Sequence, residues 1–250
     1  MYNIIKQIYI FEKNNKIMEE IKNTIIQLVI NINNETQDWY NWRAINESKI
    51  PLGIKINGPN QYYKNIDLKI KLHEKWCNPT TKPIEKQEII NYYISDWGGI
   101  HRNNPDNIKK YNTLSPEELI SSRTKGIASW SKALCIRDPN NFAIYDARVA
   151  VALNFLQIIN NIKGVYHFPI LPSRNNNIIK GNQILKQKIG GLNNENHNNF
   201  YTSYNKLLRN VVDEIGDENI KFYTVEMILF SKAEELVNKY IEIKNNKISY

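Results

Sequence analysis

The segment SPEELISSRTKGIASWSKALCIRDPNNFAIYDARVAVALNFLQ (115–157) decides the fold of this 250-residue chain. It opens on Ser115, with Pro116 next and Glu118 three places on. A serine followed by proline at the first helical position and glutamate at the third forms a capping box. The segment therefore predicts that a helix begins directly after Ser115.

Beyond that first helix, the segment predicts two longer helices joined by a polar loop. Gly126 closes a tight turn, and an apolar helical pattern follows it over 127–138. A turn of Asp, Pro and two Asn residues (138–141) leads to a short apolar stretch. Asp146 then stands at the N-cap of a helix over 147–162. We expect helix, turn, helix, loop and capped helix in that order.

Outside this segment the apolar spacing is also mainly helical. Helices are predicted over 1–34 (one or two), 86–97 (opened by Pro83, stopped by Gly98), 199–216 and 219–243. Irregular chain is predicted over 35–82, 101–112 and 164–198, with 66–76 left open as strand or helix and 241–250 as an extended tail. We expect a mainly α fold, a single unit over 1–250, in which the remaining helices form a second lobe beside the 115–157 core.

The composition is typical of a basic globular protein. Lysine and arginine number 33 against 25 acidic residues, a net charge of +8, which favours a polyanionic partner such as nucleic acid. Abundant Ile, Asn and Lys are also typical of an AT-rich genome, so the charge adds little weight. Cys77 and Cys135 give neither a disulfide framework nor a metal cluster, and no segment is long enough to span a bilayer. We expect a cytoplasmic monomer without metal, cofactor or membrane attachment.

Segment 115–157 resembles the core of the helix-hairpin-helix superfamily of base-excision DNA glycosylases, which includes the endonuclease III, adenine-mismatch and 8-oxoguanine enzymes. In that family a glycine-containing hairpin precedes a helix, and a loop then leads to an aspartate at the start of the next helix. Gly126 and Asp146, 20 residues apart, hold those places here. The resemblance implies a two-lobed helical fold, double-stranded DNA as the partner and Asp146 as the catalytic residue.

The hairpin has a physical reason to bind DNA. A glycine lets the backbone approach a phosphate closely, and the unpaired N–H groups at the start of helix 127–138 favour an anion. Such backbone contacts hold a strand, without reading its sequence, while a base is rotated out. The predicted DNA contacts are Arg123, Thr124, Lys125, Gly126, Ser129 and Arg148.

Asp146 has two interpretations. Breaking an N-glycosidic bond develops positive charge on the sugar, which a carboxylate stabilises while it orients or deprotonates a water molecule. The positive end of the helix favours the ionised form. Alternatively, Asp146 serves only as an N-cap, the commonest role of an aspartate at that position. The hairpin spacing favours the catalytic interpretation.

The segment departs from the family where bifunctional members carry a lysine that attacks the sugar as an amine. The corresponding positions are Ile127 and Ala128, whereas Lys125 precedes the glycine and Lys132 lies further along the helix. We therefore predict a monofunctional enzyme that leaves an abasic site. A displaced nucleophile at Lys125 or Lys132 is the alternative. The chain also lacks a four-cysteine iron–sulfur loop near its end.

The residues that would hold an extruded base are harder to find. Aromatic side chains stack on such a base. Our candidates for the base pocket are Trp97, His101, Arg102 and Tyr204. Three of them have a plain alternative, because Trp97 fits a core position, His101 a solvated one, and Tyr204 with Tyr201 and Arg209 a surface stripe. Trp130 is predicted to belong to the core.

The first hypothesis is therefore a monofunctional DNA glycosylase. The resemblance to compact bacterial proteins of this fold extends it to phage defence, with glucosylated hydroxymethylcytosine as a bulky substrate base. Three alternatives stay open: an 8-oxoguanine-type glycosylase and lyase, a non-catalytic DNA-binding module built on the same hairpin, and a helical protein-interaction domain. Only the last predicts no salt-dependent binding to DNA.

Overall fold

A computed structural model describes residues 2–33, 39–40, 42–162, 166–189 and 199–248, without the side chains of 2–14, 33, 189 and 247–248. Within these ranges it holds ten α-helices and no β-strand, which confirms the prediction of a mainly α fold. The helices are α1 (Tyr2–Asn33), α2 (Gln61–Cys77), α3 (Pro83–Tyr92), α4 (Pro105–Thr113), α5 (Pro116–Ser121), α6 (Ile127–Arg137), α7 (Ala147–Ile159), α8 (Asn176–Ile189), α9 (Phe200–Ile215) and α10 (Phe222–Ile248). A π-helical turn (Tyr93–Trp97) follows α3. No helix in the described ranges is long and apolar enough to cross a membrane.

The central segment folds as its local signals predict. The Ser115 hydroxyl accepts the N–H of Glu118, and the Glu118 carboxylate accepts the N–H of Ser115, which completes the capping box of α5. Gly126 has φ +71°, a left-handed conformation that glycine adopts without strain. The Asp146 side chain caps α7. The order of helices predicted for 115–157 is confirmed.

Two stretches predicted to be irregular contain helices, and the stretch left open as strand or helix is a helix. Residues 66–76 lie in α2, where Leu68 and Leu72, one turn apart, are fully buried. The polar stretch 101–112 contains most of α4, and 164–198 contains α8. The predictions of irregular chain over 101–112 and 164–198 were wrong because many Asn and Lys residues hide a narrow apolar face, which tertiary burial then stabilises. The predicted extended tail was also wrong, since α10 continues to Ile248.

Helix α7 is the centre of the fold. Residues 149–155 are fully buried on every side of the helix, as expected for a helix inside a domain rather than on its surface. It packs mainly against α10, with further contacts to α1 and α8. These contacts fix the position of α7, and with it the position of Asp146 at its start.

The helices pack in two groups. Helices α2, α3, α4 and α6 contact one another and the π-turn, whereas α1, α7, α8, α9 and α10 contact one another. One large cluster of buried apolar side chains includes residues of both groups. Between the groups, in the described part of the chain, the side chains leave a cavity that Asp146 lines.

Candidate functional site

The cavity has a volume of about 550 Å³ and is open to solvent on one side. One wall comes from α6 and the loop after the π-turn. Other lining residues come from the start of α7, residues 172–175 and α10. Four aromatic side chains and both signs of charge line it, so it suits a flat ligand that carries polar groups.

Asp146 is placed by an extended stretch of chain, 143–145, which has no backbone ladder of its own. The buried hydroxyls of Tyr201 and Tyr204 donate to the first two carbonyls of this stretch, at 2.8 and 2.9 Å. The Ser131 hydroxyl accepts the N–H of the third residue at 3.1 Å. Buried backbone groups must find such partners, and here α6 and α9 supply them. These hydrogen bonds fix the backbone of 143–145 and thereby the position of Asp146 at the cavity.

The Asp146 carboxylate is half-buried and faces the cavity. Its Oδ1 accepts the N–H groups of Arg148 and Val149, at 2.9 and 3.1 Å. Among the described residues, no hydrogen bond involves Oδ2. The N-cap interpretation and a role in the cavity are therefore compatible, because only one of the two carboxylate oxygens caps α7.

Lys132 shares the cavity with Asp146, although its position along α6 gave no match to the family pattern. Its side chain is buried, and its Nζ donates to the carbonyl of Ala128 at 2.8 Å. Burial lowers the pKa of the Lys132 ammonium, against the opposing effect of the Asp146 and Glu226 carboxylates. A β-carbon on Gly98 would lie 2.8 Å from the Lys132 Cε, so glycine makes room for this side chain.

Glu226 on α10 is the second acid of the cavity. It is buried, and its Oε2 lies 3.5 Å from the Nζ of Lys69, which is buried too. Burial raises the pKa of the Glu226 carboxyl to about 7, although Lys69 and Lys132 oppose the shift. The sequence analysis missed this residue. A single glutamate inside the apolar run FYTVEMILF (222–230) was the signal that could have found it.

Stacked aromatic and arginine side chains form another part of the wall. Trp42 and Phe230 meet edge to face, with ring centroids 4.7 Å apart. The Arg148 guanidinium lies 5.5 Å from the Trp42 ring and 5.1 Å from the Phe230 ring, and it also binds Glu234 at 2.5 Å. Arg43 lies 5.0 Å from the Trp42 ring. Arg148 thus belongs to the cavity wall, and Trp42 comes from a stretch that the sequence marked only as irregular.

Of the four predicted base-pocket residues, the structure brings Trp97 to the cavity. Its Nε1 donates to Asn65 at 2.7 Å, and its ring stacks on Tyr93 at 4.2 Å, so the ring is fixed. His101 and Arg102 are exposed and do not line the cavity. Tyr204 does not line it either, because its hydroxyl is used to hold the chain before Asp146. Trp130 and Tyr201 are buried in the core.

The predicted phosphate-binding turn lies at the start of α6. Arg123, Thr124 and Lys125 are exposed there, and the Trp130 side chain donates to the carbonyl of Lys125 at 3.1 Å. Ser129 is buried, with its hydroxyl 3.5 Å from the side chain of Asn103. Ala128, two residues after Gly126, already lines the cavity. The exposed turn and the cavity are therefore neighbours at one end of one helix.

In the described part of the chain, no group of three or more His, Cys, Asp or Glu side chains is arranged to hold a metal ion. Cys77 is exposed and Cys135 is buried. Comparisons with protein-family models, with curated proteins and with solved structures gave no match to this chain. Any function assigned to it must therefore be argued from the cavity and the turn themselves.

Proposed function

We propose that this chain is a DNA glycosylase of the helix-hairpin-helix kind, which hydrolyses the N-glycosidic bond of an extruded, modified base and leaves an abasic site. One observation carries the proposal: the Asp146 carboxylate faces a cavity of about 550 Å³ that begins at the helix end bearing the exposed basic turn. A base-excising enzyme needs a site that binds the DNA phosphates and, close enough for the same nucleotide to reach it, a pocket for the extruded base.

The exposed turn 123–126 supports the proposal that the chain binds the DNA backbone. Arg123 and Lys125 supply positive charge at the surface, and the first N–H groups of α6 lie beside Gly126, which has no side chain to block a phosphate. The two packing groups of helices, with the cavity between them, fit the two-lobed form proposed for the fold. The partner is double-stranded DNA, bound through its backbone.

The position of Asp146 supports the proposed hydrolysis of the N-glycosidic bond. The second oxygen of Asp146, Oδ2, can stabilise the positive charge that develops on the sugar as the base departs, and it can take a proton from the attacking water. The two backbone N–H groups on Oδ1 fix the position of the carboxylate. In this scheme the carboxylate lies beside the sugar and the base enters the cavity.

The cavity supports a bulky substrate base. Its volume of about 550 Å³ lies within the range that accommodates a whole drug-sized ligand, more than an unmodified base requires. Trp42, Trp97 and Phe230 offer rings for stacking. Arg174 and Asn175 offer donors for an added polar group. We propose a glucosylated cytosine of phage DNA as the substrate, which places the activity in phage defence.

A second candidate function has a specific observation in its favour. Lys132 is an amine of lowered pKa that shares the cavity with Asp146, so a bifunctional glycosylase and lyase is the alternative. Its Nζ would attack the sugar after release from the Ala128 carbonyl. The two candidates differ in whether the strand breaks without alkali.

The test uses purified protein with three DNAs: phage DNA containing glucosylated hydroxymethylcytosine, a duplex with one 8-oxoguanine, and an unmodified duplex. The proposal predicts release of a free base from modified DNA, with strand breaks only after heating in alkali. Breaks before alkali, with a borohydride-trapped adduct that Lys132→Met abolishes, would establish the bifunctional alternative. Salt-dependent binding without base release would leave a non-catalytic DNA-binding module, and no binding at all would leave a protein-interaction domain.

A further inference from the structure

Two carboxyl groups of opposite character line one cavity. Asp146 stands at the start of α7, half-buried, with two backbone N–H groups on one oxygen. Glu226 lies on α10 with 3% of its surface exposed. A carboxyl group removed from water favours the protonated form. Paired acids whose surroundings separate them in this way mark acid and base roles.

The surroundings of Glu226 do not provide a strong ion pair. The 3.5 Å between its Oε2 and the Lys69 Nζ is long for a charge-assisted hydrogen bond. The Lys69 Nζ also lies 5.0 Å from the centre of the Tyr223 ring, a cation–π contact that stabilises the ammonium group in addition to Glu226. The charged and titratable groups that interact electrostatically with Glu226 come from six parts of the chain: Lys69 of α2, Tyr93 of the π-turn, Lys132 and Cys135 of α6, Asp146 before α7, Tyr201 and Tyr204 of α9, and Tyr40.

Negative charge surrounds this site as well as positive charge. Asp146 disfavours ionisation of Glu226, while Lys69 and Lys132 favour it. Burial exceeds all of these effects and brings the pKa of the Glu226 carboxyl to about 7. An acid that still holds its proton near neutral pH, in a cavity that a second carboxyl group also lines, is suited to donate that proton during a reaction.

We propose that Glu226 donates a proton to the departing base, an inference that rests on the glycosylase activity proposed above. As the bond between C1′ and the base nitrogen breaks, its electron pair moves to the base, and the Glu226 hydroxyl protonates a ring nitrogen or carbonyl oxygen. Water adds to C1′, and its proton passes to Asp146. The products are an abasic sugar and a neutral free base, and both carboxyl groups return to their starting states by exchange with solvent.

The first test is the pH dependence of single-turnover base release from whichever modified DNA above the protein processes. In the wild-type protein the rate falls as pH rises through about 7, because the donor loses its proton. Glu226→Gln lowers the maximal rate by about 10²-fold or more and removes that alkaline decline. Glu235→Gln, an exposed change on the same helix, leaves the rate and the profile unaltered.

A folding defect is separated from a chemical one by a second variant. Glu226→Gln leaves Lys69 buried without a countercharge, so Lys69→Met with Glu226→Gln removes both charges of the pair. The double variant is expected to fold, by circular dichroism and thermal melting, and to lack the alkaline decline as well. Base release by the folded double variant within twofold of wild type, with an unchanged pH profile, would overturn the role of Glu226.

A measurement independent of activity separates this inference from the proposed function. The infrared difference spectrum between wild type and Glu226→Gln should show the carbonyl band of a protonated carboxyl at pH 6, which disappears as pH rises through about 7. Base release by a protein that lacks this band overturns only the inference about Glu226. The band without release of a base from either modified DNA overturns the glycosylase, and the proposed proton transfer with it.

Discussion

Lys125 and Lys132 lie seven positions apart, at the beginning and in the middle of one helical region, yet their surroundings are opposite. Lys125 belongs to the exposed turn 123–126, where water and salt screen its charge. Lys132 is buried in the cavity, where burial lowers the pKa of its ammonium group. Charges of the turn can therefore act only through affinity and its salt dependence. Charges of the cavity act through their protonation states.

The strongest test of this contrast is Asp146→Asn. Asparagine caps a helix about as well as aspartate, so the fold should persist while the carboxylate is lost. We expect the rate of base release to fall by about 10²–10⁴-fold, with DNA affinity unchanged. Single-turnover kinetics with a parallel binding titration measure both quantities.

Asp138→Asn is the matched control, because Asp138 also accepts local hydrogen bonds but does not line the cavity. It should retain the wild-type rate. Equal losses in the two variants would show that Asp146 has only a structural role.

The second prediction concerns the free energy of unfolding and its pH dependence. Burial raises the pKa of Glu226 from 4.5 to about 7, so the folded state holds this proton where the unfolded state has lost it. The contribution is complete below pH 4.5 and is lost as pH rises through about 7. At 1.36 kcal/mol for each pKa unit, the loss is about 3 kcal/mol.

Urea titrations at pH 5 and pH 8 measure this change in the free energy of unfolding. Glu226→Gln should remove the part of the decline that comes from Glu226. Glu235→Gln should keep it, because the Glu235 side chain is 65% exposed. A decline of the same size in both variants would show that another group is responsible.

The contrast between turn and cavity also separates what the sequence predicted from what it did not. The capping box at Ser115, the glycine turn at 126 and the cap at Asp146 are local signals, each complete within a few residues. Such signals predicted the order of helices in 115–157 correctly. Apolar periodicity failed at α4, where only Ile108 and Tyr111 are buried in a nine-residue helix otherwise made of polar residues and Pro105.

The cavity wall is made by contacts between distant parts of the chain, so no local sequence pattern could predict which residues line it. Trp42 meets Phe230 across 188 positions, and Lys69 meets Glu226 across 157. Tyr204 illustrates the reverse error, because its spacing on α9 made it a candidate for the base pocket, with a surface stripe as the alternative. Its hydroxyl instead satisfies the carbonyl of Ile144, a buried acceptor that sequence spacing cannot reveal.

The third prediction tests the turn. Replacing Arg123 and Lys125 together by alanine removes two exposed positive charges. The slope of log binding constant against log salt should decrease in magnitude by about 2, so a fourfold rise in salt should weaken binding by about tenfold less than in the wild-type protein. Fluorescence anisotropy over a range of salt concentrations measures the slope.

Lys180→Ala with Lys186→Ala is the matched control, since both lysines are exposed on α8 and do not line the cavity. This pair should leave the slope unchanged and show that position, not net charge, sets the affinity. In both double variants the rate of base release at saturating protein should stay at the wild-type value. A slower chemical step in the turn variant would contradict the division of roles.

The smallest expected effect comes from Gly126→Ala. A left-handed φ of +71° costs alanine about 1 kcal/mol of stability, and its β-carbon would lie 2.9 Å from the hydroxyl of Tyr111. Gly216→Ala is the comparison, because φ is +64° there and a β-carbon would have no neighbour within 4 Å. Thermal melts should show about the same conformational loss in both variants. Only Gly126→Ala should also weaken DNA binding, because only that glycine lies where a phosphate approaches, and equal DNA affinity in the two variants would place the phosphate elsewhere.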